Sequence, residues 1–469
     1  RAILYVIVGS GAQRRYPADP LGMGARVRSL AVFLGVFSTL PVALVFPFAG
    51  VLLWAWIAFM NPHREAFGFA YDFPFNFYIA ATTMAAWVFS QEPKRLPSQA
   101  LPGLFIAFAV VFSITTYFAL DYAHSYERWD KHIRTIILVL MVMALAHTKL
   151  RIQAFLWVVA ISIGYFAAKG GGYTLTGGTG RILGPADSFI ADNNDLALAI
   201  IMTIPIFNYL RSTSANPLVK LSCLIVMLLA VVAIIGTGSR GGFIGLAVIG
   251  IGFVTFTKPR LGAFLIPVAV AVGVWAYAPS SWFERIETIQ SFETDESAAN
   301  RFAAWRTSVN VALDRPLLGA GFSGIETDKV DFRYNQPDWR ESASVQEKSR
   351  TRAAHSIFFQ VLGDHGFLGF ALWLSIIFAG FYNLLRVISQ ARGYPELEWT
   401  RVLARALVVS FVGYIAAGAF LSMAYYDAFL CLVALTAPLR VLAARGVETG
   451  AAEPLGDGGL VPAYRARAN

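Results

Sequence analysis

The chain alternates long apolar runs with short polar loops, and that alternation leaves few folds open to it. Apolar segments fall near residues 29–45, 47–60, 75–90, 101–120, 133–146, 152–168, 195–210, 217–236, 241–256, 261–278, 357–388, 403–420 and 426–441. A helix needs about 20 apolar residues to cross a bilayer. Lipid offers no hydrogen bonds to the backbone, so a spanning helix must satisfy its own. The pattern predicts an all-α polytopic membrane protein with about 12 transmembrane helices. Segments 29–45 and 47–60 are short enough to form one bent unit, and 357–388 is long enough to lie partly in the interface.

Only 14% of the 469 residues are charged, against about 25% in a soluble protein. No basic stripe interleaves with aromatics, so nucleic acid is excluded as a partner and membrane lipids are expected instead. Cys223 and Cys431 both lie in apolar runs and read as buried thiols. Lysines and arginines cluster at 91–95, 149–151, 211–220, 258–260 and 386–405, which can all face the cytoplasm at once. The segments 61–74, 121–132, 169–194, 237–241, 279–356 and 421–427 then face outward.

This gives an organisation in five parts. Residues 1–28 are an N-terminal extension, either cytoplasmic or added upstream of the natural start, for which Met23 is a candidate. Residues 29–278 form a first transmembrane bundle that carries the Gly-rich outer loop 169–194. Residues 279–356 form a large outer loop, 357–445 the C-terminal transmembrane helices, and 446–469 a cytoplasmic tail. Within the large loop, Phe302, Trp305, Val309 and Leu313 recur at helical spacing before Pro316. They predict an amphipathic helix along the membrane surface, with Arg301 and Arg306 near its start.

Arg240 stands out because it lies between two apolar runs, in Gly238-Ser239-Arg240-Gly241. An arginine at the bilayer centre costs about 2.5–3.5 kcal/mol on insertion scales, so one kept there points to a function. Arg181, Arg240 and His355 each precede a helix that starts from the outer face, and Arg301 lies on the same side. Helix N-termini favour anions. Guanidinium groups grip phosphate oxygens in a bidentate way, and histidine can take a proton near neutral pH. The set suits a pyrophosphate leaving group with a general base. Lys169, Arg306 and Asn194 are secondary candidates, although Asn193-Asn194-Asp195 reads first as a helix cap. His365 is the nearest rival to His355; His63, His124 and His132 are less well placed. No P-loop ending, Asp-x-Asp or His-Glu-x-x-His occurs, so neither an ATP site nor a metal site is expected.

Three pieces in order, Gly238-Ser239-Arg240-Gly241, Arg301 to Trp305 leading into Pro316 to Phe322, and His355 with Gly363 to Gly369, resemble the bacterial O-antigen ligase and polymerase superfamily. The stretch Phe46 to Pro74 further resembles a branch of O-glycosylation ligases. The resemblance implies a GT-C type, inverting, metal-independent glycosyltransferase without a cofactor, in the bacterial inner membrane with its site facing the periplasm. Its donor substrate would be a glycan on undecaprenyl pyrophosphate, and its acceptor a hydroxyl of the lipid A–core oligosaccharide. Arg240 and Arg301 would hold the pyrophosphate, Arg181 would assist, and His355 would activate the acceptor. Ser356 departs from the family pattern, where asparagine often follows the histidine. A protein O-oligosaccharyltransferase and an O-antigen polymerase would use the same donor. A flippase for the lipid-linked glycan would want the arginines but not His355.

Overall fold

In a computed structural model, the residues described are 23–66, 68–178, 180–256, 296–335 and 353–448. They fold as α-helices with short 3-10 turns and no strand among the described residues. In chain order the helices are α1 (Met23–Val45), α2 (Pro47–Met60), α3 (Phe75–Phe89), α4 (Ala100–Tyr117), α5 (Tyr122–Leu145), α6 (Lys149–Leu175), α7 (Asn193–Thr213), α8 (Pro217–Thr237) and α9 (Arg240–Phe256). They continue with α10 (Glu296–Asp314), α11 (Asp328–Tyr334), α12 (Ile357–Gln390), α13 (Glu398–Gly418) and α14 (Asp427–Glu448).

Eight of these are long and apolar enough to cross a membrane: α1, α4, α6, α7, α8, α12, α13 and α14. The expected number was higher, and the difference has a simple origin. Helices α2, α3 and α9 are apolar but short. The predicted span 133–146 is the inner half of α5, whose first turns carry Glu127, Arg128, Asp130 and Lys131. Segment 261–278 and most of the tail 446–469 lie outside the described residues.

Two boundaries differ from the sequence reading. Helix α1 begins at Met23, within the stretch set aside as an extension; its Ala25 and Ser29 lie against Gly68 in the loop after α2. Phe33 and Phe37 of α1 also pack on Phe73 from that loop. Helices α1 and α2 therefore form an antiparallel hairpin with a one-residue link at Phe46, rather than one bent unit. At the other site, α6 runs on to Leu175, so Lys169 and the glycines after it are helical. An added Cβ on Gly171 would lie 2.3 Å from Leu229 O of α8. These glycines let two helices approach closely, which is how apolar helices pack where lipid gives no hydrophobic drive.

Helix α12 is broken at Gly366, with φ 64° and ψ −166°. The break is filled by the segment after α10. Phe367 N–H donates to Pro316 O at 2.7 Å, and Ala320 and Gly321 N–H donate to Gly363 O and Asp364 O, each at 2.9 Å. Gly319 has φ +60° and an added Cβ would meet Asp364 O at 2.5 Å. The Pro316 to Phe322 motif is thus an architectural clamp on the break.

Replacing Gly319 with alanine adds both a left-handed strain of about 1–3 kcal/mol and this clash. Gly393→Ala adds only the strain, since Gly393 has φ +87° and open space around it. In detergent, Gly319→Ala should lower the melting temperature several degrees further than Gly393→Ala. Equal shifts would show that the clamp contributes nothing.

Candidate functional site

The starts of α7, α9 and α12 meet around the end of α13. Gly418 has Ile357 of α12 and Leu198 of α7 at the position a Cβ would fill, at 3.1 and 3.5 Å. Gly241 of α9 faces Ala417 O, and Gly242 faces Ala197 of α7. Asn193 Nδ2 donates to Thr237 O at 2.9 Å, joining the start of α7 to the end of α8. Three N-terminal ends with their free N–H groups and partial positive charge thus share one face.

The local sequence explains each end. Helix α8 stops at Gly238 in the left-handed region, with φ 63°. Ser239 Oγ accepts from Gly242 N–H at 3.1 Å, so it caps α9, and Arg240 follows as its exposed first residue. Asp192 rather than the Asn-Asn-Asp run caps α7, accepting from Asn194 N–H and from Asn194 Nδ2, both at 2.8 Å. Asn194 is therefore held by its cap. The exposed Arg181 sits beside the same turn, because Ile182 N–H reaches Gly236 O at 3.5 Å.

His355 is gripped through its backbone. The Ala354–His355 peptide accepts from Trp305 Nε1 at its carbonyl, at 2.8 Å, and donates to Ser422 Oγ through its N–H, at 2.8 Å. His355 itself has φ 44°. Such a conformation costs a non-glycine residue about 1–3 kcal/mol, and two hydrogen bonds of about 0.5–1.5 kcal/mol each offset it. The side chain stays exposed while the backbone is fixed. Burial of part of the ring and the Arg301 guanidinium hold its imidazole below the ordinary 6.5, with Asp192 acting against them. Trp305, one turn after Arg301 on α10, reaches the carbonyl next to His355, so this end of α10 lies beside it. A pKa below neutrality leaves the ring unprotonated and able to accept a proton at pH 7.

Helix α10 exists where the spacing predicted it, but its large apolar residues point away from the protein. Phe302 and Leu313 are exposed, while Ala304, Ser308, Val311 and Ala312 are buried, and α10 packs on α12. Trp305 is the exception, stacking on Phe359 of α12 at 4.9 Å. Arg301 lies four residues before Trp305 on the same side of the helix. Ser422 and Asp192 were not singled out from the sequence, and Trp305 was read only as part of an apolar stripe and a motif. The spacing of Trp305 from Arg301 was a usable signal; Ser422 gave none.

The secondary candidates are otherwise engaged. Lys169 Nζ pairs with Glu65 Oε2 at 2.8 Å, joining α6 to the turn after α2. Arg306 donates to Asn335 O and Oδ1, at 2.6 and 3.2 Å. Among the rival histidines, His365 is fully buried, shares a 2.7 Å hydrogen bond with Thr115 Oγ1, and lies among Phe108, Phe112, Phe322 and Tyr425. His132 packs against Phe322 and Tyr425. Both are parts of the core. No three His, Cys, Asp or Glu side chains come together as metal ligands among the described residues.

Residues 225–374 match the family model described as O-antigen ligase. The match places residues 225–374 in the O-antigen ligase superfamily. The match contains Arg240, Arg301, Trp305 and His355. Residues 27–215, which contain Arg181, match a family of unknown function (DUF5935). No curated protein matches the chain significantly. This superfamily member is a multi-pass membrane protein of a glycosyltransferase-like enzyme family.

Two outcomes follow for His355. Arg301→Gln removes a like charge beside the ring, so the imidazolium is stabilised and the acid limb of the pH–rate profile moves to higher pH. An unmoved limb would separate Arg301 from His355. Trp305→Phe keeps the stacking but loses the N–H donor. It should lower kcat about tenfold, or about 1.4 kcal/mol, without changing the KM of the donor; a KM change instead would assign Trp305 to binding.

Proposed function

We propose that the protein is an O-antigen ligase that transfers a glycan from undecaprenyl pyrophosphate to a hydroxyl of the lipid A–core oligosaccharide. The reaction takes place at the periplasmic face of the bacterial inner membrane, as the last joining step of lipopolysaccharide assembly. The observation that carries the reading is the meeting of three helix starts around Gly418, with Arg240 at one of them and Trp305 of the Arg301 helix bonded to the peptide of His355 at another, inside the matched ligase region. The lysine- and arginine-rich loops at the opposite helix ends support this orientation.

In this reading Arg240, Arg301 and Arg181 bind the pyrophosphate oxygens, aided by the helix starts. The neutral His355 imidazole takes the proton of the acceptor hydroxyl. The acceptor oxygen attacks the anomeric carbon from the side opposite the pyrophosphate. The carbon–oxygen bond to phosphate breaks, and its electron pair leaves with undecaprenyl pyrophosphate, so the anomeric centre inverts. Fixed guanidinium and N–H dipoles stabilise the charge that develops on the leaving group. The reading needs neither a nucleotide nor a metal.

Reconstitution with undecaprenyl-pyrophosphate glycan and acceptors offered one at a time tests this directly. Product is expected on lipid A–core; product only on protein or on glycan would overturn the ligase reading in favour of an oligosaccharyltransferase or a polymerase. His355→Ala should cut the rate by about 10²–10⁴ while donor binding persists, and unimpaired transfer would remove its role as base. Arg240→Lys should also slow transfer, because a point charge cannot reproduce the bidentate fork. Transfer should continue in the presence of a chelator.

A further inference from the structure

A polar cavity opens on the same face, outside the arginine–histidine site. It has a volume of about 280 Å³ and lies between α2, α3, α5, the start of α14 and the loop before α7. At about 30 Å³ per water, that is room for roughly nine waters, the space of a sugar ring rather than of a chain. Its walls mix apolar faces with directed polar groups, as small-molecule sites do. Trp54 and Phe189 supply aromatic faces, and Asn61 and Asn76 supply amides.

His63 and Asn76 both line it, His63 with only 7% of its surface exposed. Burial, then the neighbouring Arg64, lowers His63 to about 4, so the ring is neutral and offers one donor and one acceptor. The rim is rigidly assembled. Tyr71 hydroxyl donates to Asp187 at 2.6 Å, Arg64 lies between Asp72 and Asp187, and the Lys131 ammonium sits 3.6 Å from the centre of the Phe189 ring.

We propose that this cavity seats a sugar unit of the acceptor glycan next to His355. The assignment rests on the ligase reading above and specifies where the acceptor is read. None of Arg181, Arg240 and Arg301 lines the cavity, so it is separate from the pyrophosphate grip. Two chain segments connect it instead to the base. Phe189 of the wall is three residues, at most about 11 Å, from Asp192, the cap of α7, whose start meets that of α12 around Gly418. Asp427 of the wall is five residues from Ser422, which holds the His355 backbone, a span of at most about 18 Å. A short oligosaccharide bridges such distances, with one ring in the cavity and the next presenting its hydroxyl to His355.

The test uses the full-length protein in detergent and the deacylated core oligosaccharide as probe. Its binding is measured by titration calorimetry, and the KM values of lipid A–core and donor are measured in proteoliposomes. Asn76→Leu fills the cavity, and Arg134→Gln alters a different wall, so one variant remains if the other fails to fold. Each should weaken probe binding and raise the acceptor KM about tenfold, with donor KM unchanged and an unaltered melting temperature. A wild type that transfers to lipid A–core, beside variants that bind the probe as tightly as it does, overturns the cavity assignment alone. A rise in donor KM with acceptor KM constant also overturns it. A wild type that neither binds the probe nor modifies lipid A–core overturns the ligase reading, and this assignment with it.

Discussion

The close contact at Ala417-Gly418 is the constraint on which the site depends. Helices α7, α9 and α12 can bring their first turns together only because α13 ends there in small residues. Ile357 occupies the space that a side chain on Gly418 would need. Widening this contact by one methyl group would move the start of α12, and with it His355, away from α9 and Arg240. The same small-residue logic recurs at Gly242 and Gly245, which face Ala197 and Ile201. Interior packing in this protein is therefore also the means by which charges from distant parts of the sequence are placed on one face.

The position of His355 shows how the scaffold turns packing into chemistry. Its peptide is held from α10 by an indole and from the segment after α13 by a hydroxyl. Its charge environment comes from α10 and from the cap of α7. Three remote segments thus fix one ring in an unfavourable backbone conformation while the ring itself stays exposed. Strain of this kind persists only where the surroundings over-determine it.

Much of the architecture was legible in the sequence. Apolar run lengths located most of the helices, and the periodicity within 302–313 placed α10. The Gly238 to Gly241 turn was recognisable because a glycine, a cap and a charge stood together between apolar runs. What could not be read was anything set by side-chain packing between helices. The stripe of Phe302 and Leu313 marked a surface helix, but not that the small residues beside it, Ala304, Ser308 and Ala312, would be the buried ones. Lys169 looked like an anion ligand, but its partner Glu65 lies far away in sequence. Ser422 had no local pattern at all, because its role exists only through the turn of chain that brings it to His355. The count of spans was harder to read for a related reason: helices such as α2 and α9 are short and depend on neighbours, while the first turns of α5 carry exposed charge.

The break at Gly366 divides α12 into two bodies with different surroundings. The nine residues from Ile357 to His365 belong mechanically to the outer face, clamped by α10 and the Pro316 to Phe322 segment. The remainder follows the membrane. The carbonyls and N–H groups at the break are satisfied by the clamp rather than by the helix, and the clamp holds both sides of it, Gly363 and Asp364 before and Phe367 after. The bend that ends the first part of α12 is thus fixed by chain that follows α10, the same helix that holds the peptide of His355.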